Sequence, residues 1–290
     1  MVVSRIIVAV LSLGVLSSIA GAQETKTKFK PSDFEILSTV RETGKITKAD
    51  FDLLSESAQK NYLTLKTDTV KIEKLNQVFL PKPPTGKPFP GTPGVGGKDP
   101  LQTIDRIINI GKKIWDIIEK NKPVVDLKND YASAVPAGIT HWSQLETWKM
   151  PKTTVYRLTA KNAYGIQTVG VEFAVVRTWG GSYKGKGQFL HAVTVEPLKL
   201  DVLWGYTLNM KATIPSTVNV GTSEDPIAAM MVKLGWTIKT VIKESGGSGI
   251  YHVRGDGKFN DIGARSSISK MKAGEKLQKK LENLQVKAPF

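Results

Sequence analysis

The chain has 290 residues, with 41 Lys and Arg against 26 Asp and Glu for a formal charge of +15, and it has no cysteine. Forty per cent hydrophobic residues is enough for a packed core, which excludes wholesale disorder and a collagen-like repeat. The missing cysteines exclude a disulfide framework, a thiolate metal site and a cysteine nucleophile.

The first element in the chain is an address. Residues 1–5 carry one positive charge, residues 6–16 are mostly apolar, and Ala20-Gly21-Ala22 supplies small residues for cleavage. This pattern predicts a secretory signal peptide over residues 1–22, cut after Ala22. The apolar run is too short to span a bilayer, which takes about 20 residues. Export without cysteine points to a bacterial periplasm or the medium, because eukaryotic secreted domains usually carry disulfides. Nucleotides are scarce there, so no cofactor is expected.

Residues 23–80 read as a separate helical segment. Ser32 with Glu35 is a capping-box pattern, Ile36 and Val40 share a stripe, and Gly44 ends it. Thr47 with Asp50 starts a second helix carrying Phe51, Leu53, Leu54, Tyr62 and Leu63. Between them, Thr39 to Asp50 superficially fits a calcium loop. Arg41 would occupy a ligand position, and a cation there repels the metal. The stretch therefore reads as a helix-turn-helix. Residues 81–100 hold seven of the fifteen prolines and form an extended linker.

At 100° per residue, Ile104 to Ile118 places its apolar side chains on one half of a helix. An amphipathic helix over residues 101–120 is expected to pack on its own domain. If it left that domain, Ile107, Ile114, Trp115 and Ile118 would contact a membrane. From about Pro136 to Phe259 the period becomes two. Val169, Val171, Phe173 and Val175 alternate, as do Phe189, His191, Val193 and Val195, then Leu200 through Met210, then Trp236, Ile238, Thr240 and Ile242. Tyr251 and Val253 suggest a last short strand, and Pro226 to Val232 fits either a strand or a short helix. Asn162 to Gly165, Trp179 to Ser182, Ser245 to Gly249 and Asp256-Gly257 read as turns. The fold class is therefore mainly β, an antiparallel sandwich or barrel over residues 101–263. A basic tail, 264–290, carries a helical stripe of Leu277, Leu281 and Leu284.

No motif assigns a reaction. Gly180 to Gly187 nearly matches a phosphate loop, but Gly187 stands where magnesium needs a Ser or Thr hydroxyl. Arg254-Gly255-Asp256 matches an adhesive tripeptide, but Asp256-Gly257 is a hairpin signal in its own right. His141, His191 and His252 lack zinc-site spacing, and His191 alternates with apolar neighbours as a core residue would. Trp204 and Trp236 read as packing residues in strands. Trp179 heads a Gly-rich turn and is the tryptophan expected at the surface.

These residues point to an exported, non-enzymatic binding module. Trp179, Tyr183, Lys184 and Lys186 are its candidate contacts with an anionic partner: a glycan, a lipid headgroup or an envelope protein. Alternatives are a membrane-active protein using helix 104–118, with peripheral membrane contact, and a secreted hydrolase with unassigned residues. The cationic excess lies mainly in residues 132–290. In an exported protein it favours anionic envelope or extracellular material over nucleic acid.

Overall fold

The computed structural model describes residues 29–79, 104–124 and 131–263, and the backbone of 266–269. The signal peptide, the Pro/Gly linker and the Leu277, Leu281, Leu284 stripe lie outside these residues.

Three short helices open the fold: α1 (Pro31–Thr43), α2 (Lys48–Leu53) and α3 (Glu56–Leu63). Lys30, not Ser32, caps α1, and the Asp33 carboxylate accepts from its backbone N–H at 2.8 Å. Burial alone would raise the Asp33 carboxyl. Hydrogen bonds from the Ser55 side chain and backbone and from Lys30 hold it below the ordinary carboxylate range. Gly44, in the left-handed region at φ 64°, stops α1, and Thr47 with Asp50 forms the expected capping box of α2. Thr39 to Asp50 is accordingly a helix-turn-helix.

The strands are β1 (Leu65–Leu75), β2 (Ile107–Gly111), β3 (Ile114–Glu119), β4 (Lys122–Pro123), β5 (Ala132–Pro136), β6 (Lys152–Asn162) and β7 (Gln167–Tyr183). They continue with β8 (Lys186–Val202), β9 (Thr207–Asn219), β10 (Ala228–Lys239), β11 (Glu244–Arg254), β12 (Phe259–Asp261) and β13 (Ser266–Ser269). The first sheet runs β1-β6-β7-β8-β5-β2. The second runs β12-β11-β10-β9-β3-β4, with β13 also on β11. Neighbouring strands are antiparallel, and the two open sheets stack as a sandwich, not a closed barrel. Tyr156 of β6 meets Tyr251 of β11 across the interior at 4.8 Å between ring centroids. On its other face the first sheet carries Val155, Ala174 and Val176 under Leu75, Phe79 and Leu198, so β7 is buried on both sides.

Two expectations are corrected. The helical reading of the N-terminal segment fails at Leu65, where β-branched Thr67, Thr69, Val70 and Ile72 favour the strand β1. Nor is that segment separate. β1 pairs with β6, the Phe51 ring lies 4.8 Å from Trp204, and the Tyr62 hydroxyl donates to the Trp204 carbonyl at 3.0 Å. The amphipathic helix expected over residues 101–120 is not formed by the described residues 104–120 either. Its isoleucines lose rotamer freedom in a helix and pack well on a pleated surface. Gly111 (φ 103°) carries the chain from β2 in the first sheet to β3 in the second. Trp115 and Ile118 are consequently core residues, Ile107 is half-buried, and Ile114 is 67% exposed. They share no membrane-facing surface.

Smaller differences follow the same logic. Pro226 to Val232 resolves as strand from Ala228, and the strand expected through Leu200 to Met210 breaks at a turn over Leu203–Tyr206. That turn leaves Trp204 partly exposed, with its ring against Phe51 and not in the core between the sheets. Register places the β8–β9, β10–β11 and β3–β4 turns at the end of the sandwich that carries the helices. The β7–β8 hairpin and the 254–257 turn lie at the opposite end.

Candidate functional site

The sequence-predicted contacts sit at the end away from the helices, and only three of the four come together. Lys184 and Gly185, with φ of 49° and 75°, make the two-residue turn between β7 and β8. Tyr183 pairs with Lys186 beneath it, and the Lys184 amine lies 5.4 Å from the Tyr183 ring. Trp179 is within β7, opposite Leu190, about 13 Å back along the strand. It is half-buried, with the Lys152 amine 4.7 Å from its ring and Gly257 packed against it.

The glycines after Trp179 are not a turn. Gly180 and Gly187, at φ 80° and 76°, take up register shifts between β7 and β8 as β-bulges. Gly181 serves a different contact, since a Cβ there would sit 2.4–2.6 Å from the Trp148 ring. Asp225 fixes the second bulge by accepting from the Gly187 backbone N–H at 2.8 Å. The Arg-Gly-Asp tripeptide is closed on itself, with Arg254 and Asp256 paired at 2.7 Å and largely covered.

Two buried polar groups lie apart from these contacts, Arg177 and His191. Arg177 lies over the Phe259 ring at 4.0 Å and donates to the Thr154 hydroxyl at 3.1 Å. Burial pushes its guanidinium down to about 10. His191 is buried, as its alternation suggested, and its Nδ1 is 3.0 Å from Ser133 Oγ. The rings of Tyr131, Trp142 and Trp148 surround it at 5.7–5.8 Å. Burial first, and His141 second, push its imidazole down to about 4, so it is neutral at ordinary pH. Both members of this hydroxyl–imidazole pair are sealed from solvent, a setting for packing and not for attack on a substrate.

An open concavity lies elsewhere, on the outer face of the second sheet. Register aligns Asp116, Lys211, Gly235 and Ser248 in one row across β3, β9, β10 and β11. Asn209, Thr237 and Gly246 form the next, and Lys239 with Glu244 closes the groove toward the helix end. Gly235 and Gly246 provide no side chain, so the floor is backbone and the walls are long polar side chains. The resulting groove is about 790 Å³, well within the size of small-ligand sites. Its lining includes no histidine. Lys239 and Glu244 pair at 3.2 Å, whereas Lys211 and Lys233 form no ion pair among the described residues.

The sequence reading missed this face because it took Ser245 to Gly249 for a turn. Glycine inside a strand marks instead a place where something approaches the backbone closely. The usable signal was the alternation Lys233, Gly235, Thr237, Lys239, a polar face with a gap in it. Among the described residues no group of three His, Asp or Glu side chains is placed to hold a metal ion. Comparison with protein-family models, curated proteins and solved structures finds no match to this chain.

Proposed function

We propose that the protein is an exported, non-enzymatic binding module whose groove on the second sheet receives an acidic glycan. The observation that carries this reading is the pair Lys211 and Lys233, without ion-pair partners among the described residues, flanking the glycine floor at Gly235. Asn209, Thr237 and Ser248 supply donors and acceptors for hydroxyl groups, while the lysines supply charge for a carboxylate or sulfate. Backbone exposed at a glycine allows a flat sugar ring to approach within contact distance. The hairpin of Tyr183, Lys184 and Lys186 lies at the other end and is not needed for this contact.

Titration calorimetry of acidic and neutral oligosaccharides tests it. Acidic ones are expected to bind, more weakly as salt rises, with binding lost in Lys233→Glu and in Gly235→Val. The nearest atom to a Cβ at Gly235 is a Lys211 side-chain carbon at 3.8 Å, so Gly235→Val fills the groove without clashing with its floor. Equal binding of neutral sugars, or wild-type binding by both variants, would overturn the reading.

A further inference from the structure

The β10–β11 turn breaks the chemistry that the other two-residue turns of this fold obey. Lys120-Asn121 and Lys184-Gly185 both use positive φ, at 46° and 66°, and at 49° and 75°. Between Thr240 and Lys243 the central residues are Val241 and Ile242, neither in the left-handed region. β-Branched apolar residues are poor turn formers and gain nothing from water there. Yet Val241 is 88% exposed and Ile242 43%. The turn is nonetheless built firmly: Thr240 N–H donates to the Lys243 carbonyl at 2.7 Å, and Lys243 N–H donates to the Thr240 hydroxyl at 3.0 Å. A local rule broken inside a well-made turn marks a site kept for contact.

Its surroundings identify the partner. Lys239 and Lys243 flank the apolar pair, the first paired with Glu244 at 3.2 Å and the second donating its amine to the Leu65 carbonyl at 3.3 Å. Register sets Lys239 opposite Thr207, so the exposed Trp204 of the β8–β9 turn stands at the same end. Leu53 of α2, 66% exposed, follows two residues after Phe51, which packs on Trp204. Lys120 and Lys122 of the β3–β4 turn lie at this end too, the former donating its N–H to Asn209 at 2.8 Å. Glu119 is there as well, while Glu244 and Asp52 are engaged by Lys239 and Lys48. An apolar tip, an interfacial tryptophan and a surplus of lysines together match a bilayer surface bearing anionic lipid.

We infer that this end is a peripheral membrane-docking surface, with Val241 and Ile242 inserting among the acyl chains and the lysines holding anionic headgroups. The contact replaces the helix 104–118 as the place where a membrane would be met, and it does not depend on the groove. Neither element suffices alone, since one short apolar anchor binds reversibly and gains its strength from basic neighbours.

The chain has no cysteine, so Val241→Cys and Lys184→Cys each create one unique thiol for a polarity-sensitive fluorophore. The full chain is mixed with phosphatidylcholine vesicles, with and without phosphatidylglycerol. Expected are sedimentation with the anionic vesicles only, a blue shift with quenching by lipid-borne quencher at position 241, and no shift at position 184. Val241→Ser with Ile242→Ser is expected to weaken binding by about tenfold or more, with unchanged circular dichroism and unchanged binding in the groove. Failure to sediment with anionic vesicles, equal shifts at both labels, or wild-type binding by the double variant would overturn the inference. Loss of sugar binding in Gly235→Val with vesicle binding intact separates the two sites.

Discussion

His191 holds its Nδ1 3.0 Å from the Ser133 hydroxyl oxygen, with both residues buried and three aromatic rings closing over the imidazole. The same bulge that places Ala192 at φ 48° sets His191 opposite Thr178. The pair therefore ties β5 to β8 under the Trp142–Trp148 segment.

Acid is expected to loosen this structure in a defined window. In the unfolded chain the imidazole titrates near 6.5, and in the folded chain at about 4. Between those values the unfolded state binds the additional proton, so falling pH favours unfolding. The loss begins as pH drops through 6.5 and is complete below 4, about 3 kcal/mol in all. Asp33 and Asp256, whose folded carboxyls are held low, add their losses only at more acidic pH. Urea unfolding as a function of pH checks this. His191→Gln should flatten the slope between pH 6.5 and 4 whatever it does to stability at neutral pH, and an unchanged slope would assign the effect elsewhere.

Two glycines within strands should respond oppositely to alanine. At Gly181 a Cβ meets the Trp148 ring at 2.4–2.6 Å, so Gly181→Ala is expected to cost about 1–3 kcal/mol. At Gly235 the Cβ has room, and Gly235→Ala should be neutral or stabilising by about 0.5–1 kcal/mol. Thermal unfolding of both proteins decides the matter; equal midpoints would contradict the packing described at Trp148.

Ile114 and Ile118 separate the bulged strand β3 from the helix that sequence periodicity suggested. On a helix residues four apart share a face, as they would on an unbroken strand; the bulge between Asp116 and Ile118 reverses the alternation of β3. Here Ile118 is core and Ile114 projects into solvent from β3. Ile118→Asp should prevent folding by burying a charge, while Ile114→Asp should shift stability by no more than about 0.5 kcal/mol. Expression and denaturant midpoints of the two variants give the answer.

The sandwich was legible because its long strands alternate, and Val169 to Val175 and Trp236 to Ile238 sit where that alternation puts them. The capping box at Thr47 and Asp50 was legible for the same reason, a local rule obeyed locally. What misled was residue type read without its partners. Isoleucines between Ile104 and Ile118 happen to fall on one helical half, but their branching suits strands, and a tertiary crossover at Gly111 uses them in two sheets. Glycine gave the opposite error. In Gly180, Gly181 and Gly187, and again at Gly246, it serves bulges, a tryptophan ring and a groove floor, none of which has a signature in the flanking sequence. The groove face was thus hidden in residues read as punctuation, while Trp179, singled out as exposed, lies under Lys152 and Gly257.

The arrangement on the margin of β11 has a consequence for the protein as a colloid. β13 pairs with Ser245 to Ser248, β12 pairs with Tyr251 to Val253, and Ile262 donates its N–H to the Ile250 carbonyl between them at 3.0 Å. At the other margin β4 is only two residues, Lys122 and Pro123, a cation and a residue with no N–H to offer. Among the described residues the second sheet therefore presents no long row of free backbone donors and acceptors for a neighbouring chain to add to. Without disulfides to lock its fold, the protein guards against edge-to-edge aggregation through these short terminal strands.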